Sequence, residues 1–440
     1  MTGLSERQRT VIATLVETAP DNAIRSLGLA LAADRATDGP MAQIREMVRV
    51  EAAERVIRSM VFAPVVGLCR PSNNHFSKPF PGAAIGLLWR SVKAASPAQA
   101  QMAAAPAQTS TEVFDDLCLL AATGLRSPAG TPFAAAAAKL DEDREGGAES
   151  FAQHLDLAPL VRKLAPRVPE WLGRMTEDKA IVARLGYKDA TAISPDAGPR
   201  LIEMLAADLE EPHHALRIVS AVMDHPEDVY LASSELSHIG ERLLADVDAA
   251  IDAVTRLDPT LGVEAGSAAG HAASRAILII TEFENSTKLT KDGPWGQRVI
   301  EGKKRLAQSA ETLIKKADEA VAAALPMKSA ILVGRMKRGR PHLQNPPNAM
   351  AVARAESLAG FVETSRAGAQ GAGFAAARGK AAEKLEERID AYVDEVVDLI
   401  HENAEVAARA REYLDVAARL AGILRDDKAA QIIRRRATAA

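Results

Sequence analysis

Residues 385–424, LEERIDAYVDEVVDLIHENAEVAARAREYLDVAARLAGIL, decide the fold class. Leu385, Ile389, Tyr392, Val396, Leu399, Asn403, Val406, Ala410, Tyr413, Ala417, Leu420 and Leu424 step alternately by four and three residues without a slip. A heptad stripe held this long is the sequence condition for a long coiled-coil or bundle helix. Alanines on the seam permit close approach of a second helix, and Asn403 would cost stability while fixing register between partners. Val393, Val397 and Ile400 widen the apolar face, which favours a bundle within the chain over an isolated two-stranded coil.

The same periodicity recurs at the other end of the chain. Val11, Ile12, Leu15 and Val16 form one stripe over residues 6–18, and Asp21-Asn22 cap a second helix carrying Ile24, Leu27, Leu29 and Leu31. Asp38-Gly39-Pro40 breaks the chain and opens a third helix to about Phe62. Alanine, the best helix former, supplies about a fifth of the residues, and aromatics only 4%. No alternating strand with a hairpin turn is evident. The expected fold is all-α: an irregular multi-helix part with short, proline-punctuated helices, then long helices in a bundle or coiled-coil-like C-terminal region.

Punctuation divides the chain further. Residues 1–93 read as an N-terminal helical region, 94–111 as an Ala/Pro/Gln linker and 112–333 as a central helical region. A basic, proline-containing loop spans 334–348 and the long-helix region 349–440. Prolines recur from Pro128 to Pro259, as an α-solenoid would require, yet no fixed-period repeat is present. Gly368, Gly371, Gly373 and Gly379 suggest a hinge before the last long helices.

With 440 residues there is ample chain for a buried core. The net charge of −4 excludes a wholesale polycation and, with 48% hydrophobic residues, an acidic disordered chain. Cys69 and Cys118 form no C-x-x-C pair and sit among apolar neighbours, so buried free thiols are expected rather than a disulfide framework. The N-terminus lacks the apolar stretch of a signal peptide, and no segment approaches the length of a membrane span. These features, with heavy alanine and arginine usage, point to a cytoplasmic bacterial protein.

Chemistry is sparse. Glu211 and His214, and again Glu235 and His238, stand in Glu-x-x-His spacing within a histidine cluster that includes His213 and His225, with Asp224 alongside. Paired helices bearing that spacing hold di-iron centres, so these four residues are the candidate metal ligands, although Pro212 inside the first motif favours a helix start. There is no Gly-x-Ser-x-Gly elbow, phosphate-binding Walker loop or His-Glu-x-x-His. No catalytic residue and no cofactor is assigned.

Arg338-Gly339-Arg340-Pro341, preceded by Arg335 and Lys337, resembles an AT-hook. The resemblance implies an extended segment whose arginines enter a narrow A·T minor groove. Basic residues do not continue after Pro341, and the cluster Arg434-Arg435-Arg436 has an ordinary role at a helix C-terminus. Trp89, Trp171 and Trp295 read as packing anchors.

The expected function is that of a non-enzymatic cytoplasmic scaffold, adaptor or regulatory protein. It would contact other proteins, and itself, through Leu385, Ile389, Tyr392, Val396, Leu399, Asn403, Val406, Tyr413 and Leu420. The alternatives are a DNA-associated protein using the basic loop and a metal-dependent helical enzyme.

Overall fold

The computed structural model describes residues 3–32, 38–70, 76–104, 111–223, 225–331 and 337–440. Two compact units follow one another along the chain, Met1–Val222 and Met223–Ala440, so the division falls inside the stretch read above as one central region.

Unit 1 consists of helices α1 (Glu6–Thr18), α2 (Asp21–Ala32), α3 (Pro40–Val61), α4 (Ala63–Val66), α5 (Ala83–Ala95), α6 (Pro97–Ala103), α7 (Thr111–Arg126), α8 (Ala134–Asp141), α9 (Gly147–Asp156), α10 (Ala158–Leu164), α11 (Val168–Leu172), α12 (Glu177–Ile193), α13 (Ala197–Ala206) and α14 (Ala215–Val222). Proline sets the short lengths. It stands in the first turn of α4, α6, α10 and α11, where its missing N–H costs nothing but where no helix can run through it. The Ala/Pro/Gln stretch thus contains a helix, α6, with Ala100 and Ala103 buried; residues 105–110 lie outside the described residues.

Unit 2 runs α15 (Asp228–Ala232), α16 (Ser237–Thr255), α17 (Val263–Ser286), α18 (Pro294–Ala324), strands β1 (Met327–Ile331) and β2 (Lys337–Pro341), α19 (Ala349–Thr364), α20 (Arg366–Ala372), α21 (Ala375–Glu402), α22 (Ala407–Leu424) and α23 (Asp427–Ala439). Among the described residues the fold is all-α apart from this ribbon. Among the described residues no helix is long and apolar enough to cross a membrane.

Three expectations need correction. The two antiparallel strands, with Met327 opposite Pro341 and Ser329 opposite Gly339, form the ribbon for which no pattern was visible. Strands this short, one of them carrying Gly and Pro, leave no alternation to read. The heptad stripe does not run through one helix either. α21 ends at Glu402, and Asn403 is its extended C-cap, exposed, with its side-chain oxygen accepting from the Glu405 N–H at 3.0 Å. The chain then reverses: Tyr392 and Tyr413 face each other at 6.3 Å, and Arg425 reaches back to Glu386 and Asp390 at 2.8 and 2.7 Å. An asparagine that bonds its own backbone favours such a turn over a helix interior.

Of the glycines read as a hinge, Gly368 and Gly371 are packing contacts. A Cβ on Gly368 would lie 2.7 Å from Ser274 Cα, and one on Gly266 only 1.7 Å from the Ser357 carbonyl oxygen. Close crossing of α17 with α19 and α20 therefore requires residues without side chains. Gly373, at φ +82°, closes α20 in the left-handed conformation.

Candidate functional site

Breaking unit 1 into short helices leaves space where their ends meet. A cleft of about 570 Å³ is walled by α4, α10, α11 and α13 and by the turn that follows α13. Pro64, Val168, Leu172, Met204, Leu205 and Leu209 make it predominantly apolar, and Arg162, Asp208, Glu210, Glu211 and His214 are its polar members. This size and lining fall within the range of preformed small-molecule sites.

Arg162 is a wall element. Its Nε donates to Asp115 at 2.9 Å, and its Nη1 and Nη2 donate to the carbonyls of Met60 and Val61 at 3.0 and 2.8 Å. Those carbonyls belong to the last turn of α3, whose acceptors have no partner within the helix. Cys118 donates its S–H to the same Val61 carbonyl at 3.2 Å. Burial pushes the thiols of both Cys69 and Cys118 up to about 12, so neither supplies a thiolate near neutral pH. Both are free and buried.

The metal candidates occupy helix beginnings, not helix faces. Glu211 precedes the 3-10 turn Pro212–His214, and Pro212 is what starts that turn. Glu211 and His214 do share the cleft lining, while Glu211 Oε2 stands 3.7 Å from Nδ1 of the buried His213. Glu235 lies in the turn before α16, and its carbonyl is 3.0 Å from His238 Nδ1. The two sets belong to different units, and neither has the one-face helical geometry that a Glu-x-x-His pair needs. His225 is exposed and faces Tyr230 at 5.5 Å; Asp224 lies outside the described residues.

Of the hook-like residues, Arg335 lies outside the described residues. Lys337, Arg338 and Arg340 belong to β2, so the segment is a ribbon strand rather than a free extended arm. Arg340 pairs with Glu402 at 2.5 Å. In the C-terminal cluster, Arg434 stands 3.5 Å from Asp415 and Arg436 pairs with Asp394 at 2.7 Å.

The stripe residues are mostly consumed internally. Leu385, Ile389, Tyr392, Val396, Tyr413 and Leu420 are buried within unit 2; Leu399 and Val406 are half-buried, and Asn403 is exposed.

Sequence reasoning missed how many large aliphatic side chains stay exposed on α1–α3. Helices α1–α3 close on a small core of Val16, Ile24, Leu31 and Val48, with Ile12, Ala19, Ile44 and Ala52 against it. Arg55 ties the corner together: Nε reaches Glu51 at 2.8 Å, Nη1 reaches Asp21 at 2.6 Å, and Nη2 donates to the Val16 and Ala19 carbonyls at 3.0 and 2.8 Å. Around it Val11, Leu15, Leu29 and Val56 remain 53, 62, 72 and 58% exposed. Val11, Leu15 and Leu29 sit in periodic runs whose inner and outer members look alike in sequence. The chain matches no known family, no curated protein and no solved structure.

Proposed function

We propose that this chain is a non-enzymatic bacterial adaptor of the cytoplasm that acts through contacts with another protein, and that α1–α3 are its docking element. The observation that carries this reading is the exposure of Val11, Leu15, Leu29 and Val56 around so small a core. Large aliphatic side chains left in water forgo about 1.5–3 kcal/mol each of burial free energy, which a partner surface would recover. The heptad stripe, assigned that role in the sequence, has its apolar face occupied inside unit 2.

Site-specific photocrosslinking in cells tests the reading. A photoreactive residue at position 15 or 29 is expected to trap one discrete species, whereas the same residue at exposed Glu387 traps none. The trapped protein, purified and mixed with the full chain, should form a stoichiometric complex that Leu15→Glu with Leu29→Glu abolishes. Equal trapping at all three positions, or a complex indifferent to those substitutions, defeats the proposal.

A further inference from the structure

The charges on α1–α3 do not balance once their ion pairs are set aside. Glu17 is held by Arg90 at 2.7 Å, Asp21 and Glu51 by Arg55 at 2.6 and 2.8 Å, Glu46 by Arg49 at 2.6 Å and Glu54 by Lys93 at 2.6 Å. Glu6 stands in the first turn of α1, where the helix dipole favours a carboxylate. Arg7, Arg9 and Arg25 are exposed and make no ion pair among the described residues. What the three helices leave unmatched is therefore positive.

Position matters as much as sign. Arg7, Val11 and Leu15 follow one another at four-residue steps on α1, and Arg25 and Leu29 do so on α2. Residues at that spacing are neighbours on one helix face, so Arg7 and Arg25 each lie one turn from a large exposed aliphatic side chain. Arg9 projects from a different side of α1. A second copy of this surface is a poor occupant, because a self-complementary contact would bring these arginines together with only Glu6 to answer them. An anionic membrane is a poor one too. Glu6, Glu17, Asp21 and Glu46 are exposed on the same helices, which carry none of the aromatic or lysine residues that anchor interfacial helices. A protein helix has the pitch of α1, so its own four-residue steps can set aliphatic side chains on Val11 and Leu15 and a carboxylate beside Arg7.

We infer that the partner docked by α1–α3 presents an acidic amphipathic helix that lies along α1, its aliphatic side chains on Val11 and Leu15 and its Asp or Glu residues toward Arg7, with Arg25 and Leu29 of α2 offering the same chemistry alongside. This rests on the docking role proposed above and adds to it the chemistry of the partner.

Fluorescence anisotropy of the full chain with three labelled helical peptides tests it. The peptides share an alanine frame with leucine at heptad spacing and carry Glu, Gln or Lys at the flanking positions. The Glu peptide is expected to bind saturably, about tenfold more tightly than the Lys peptide at low ionic strength, with the Gln peptide between them. That preference should shrink with added salt, because the arginines are exposed. Arg7→Gln with Arg25→Gln should reduce it to about twofold or less. Arg9→Gln with Arg174→Gln removes the same charge from other exposed positions of unit 1 and should leave it in place. Leu15→Ser with Leu29→Ser should weaken all three peptides alike. Every substituted residue is exposed, so thermal melts should match wild type.

Equal or tighter binding of the Lys peptide, no saturable binding of the Glu peptide, or a preference that survives Arg7→Gln with Arg25→Gln overturns the inference. So does cosedimentation with phosphatidylcholine vesicles containing phosphatidylserine that Leu15→Ser with Leu29→Ser eliminates, since the surface would then be a membrane face. If a protein is trapped at positions 15 and 29 but its complex is indifferent to Arg7→Gln with Arg25→Gln, this inference alone fails. If none is trapped, the docking reading fails and takes this inference with it.

Discussion

In unit 1 the helices end early, and their side chains fail to fill the space where α4, α10, α11 and α13 converge. In unit 2, α17 crosses α19 and α20 so closely that Gly266 and Gly270 have no room for a methyl group; a Cβ on Gly270 would lie 2.0 Å from Thr364 Oγ1. Both units are alanine-rich and helical and both hold close glycine contacts, as at Gly147, where a Cβ would lie 2.1 Å from the Leu140 carbonyl oxygen; the difference is that proline repeatedly interrupts the helices of unit 1, while in unit 2 glycine lets long helices cross. Interrupted helices present polar ends and turns around a gap, as at Asp208–His214. Pressed helices exclude everything but backbone, as at the fully buried Ser357 and Ser365.

The most damaging test of that contrast is Gly266→Val. Two γ-methyls would have to displace the Ser357 backbone, and the cost should be about 3 kcal/mol or more. Denaturant unfolding followed by circular dichroism should show unit 2 melting far earlier; a shift under one-third of that would mean the crossing is looser than described. Gly379 meets nothing within 4 Å and provides the control. It lies within α21, so Gly379→Ala should stabilise by a few tenths of a kcal/mol up to about 1.

Next in size is Asp228. It is fully buried, accepts from the Gly296 N–H at 3.1 Å and the Thr290 hydroxyl at 3.0 Å, and so caps α18 from outside that helix. Asp228→Ala strands both donors and should cost about 2–3 kcal/mol, whereas Asp228→Asn keeps an acceptor and should cost less.

Unit 1 has its own weak point in acid. His154 is buried, its Nδ1 lies 2.7 Å from the Ser150 carbonyl, and its ring meets Phe80 edge-on at 5.5 Å. Burial pushes its pKa down to about 4, below the unfolded value of 6.5. The unfolded chain therefore binds more protons between those values. The stability this contributes is complete above pH 6.5 and is lost progressively as pH falls toward 4, on the order of 3 kcal/mol in all. His154→Gln should flatten the unit 1 acid transition in that window; an unchanged pH profile would show that other groups govern it.

Smaller still is Ala165→Leu at the cleft, expected within about 0.5 kcal/mol of wild type because the side chain is exposed. Arg340→Ala should be milder again. Its ion pair with Glu402 joins two groups each 56% exposed, and such pairs contribute about 0–1 kcal/mol. A thermal melt distinguishes either result from the losses in unit 2.

Helix type was legible because periodicity is a local property: the stripe at residues 6–18 lies in one helix, and the one at 385–424 lies in two, apart from the turn around Asn403 and Val406. Helix ends were legible only where a residue has one plausible role, as with Pro40, in the first turn of its helix. Asn403 had two, seam residue or turn, and an unbroken heptad count concealed the reversal because an antiparallel hairpin buries both of its stripes as a continuous helix would. The glycines near 368 had two as well, hinge or contact, and only the position of Ser274 decides between them. The cleft left almost no trace. Its walls come from residues 63–64, 161–172 and 204–214, so no window of sequence contains its pattern, and only the recurring prolines mark where helices must stop.

The cap on α18 has a consequence for the order in which unit 2 is built. Asp228 precedes Gly296 by 68 residues, so on a growing chain the acceptor is made well before its donors. Until residues 290–296 have been added, its carboxylate stays hydrated. Only closure of that long loop lets it leave water, and closing a loop of that length costs entropy before any contact rewards it. The longest helix of the molecule is thus finished at its start by a residue it must wait to meet, and in refolding experiments Asp228→Asn should speed unfolding while leaving the folding rate nearly unchanged.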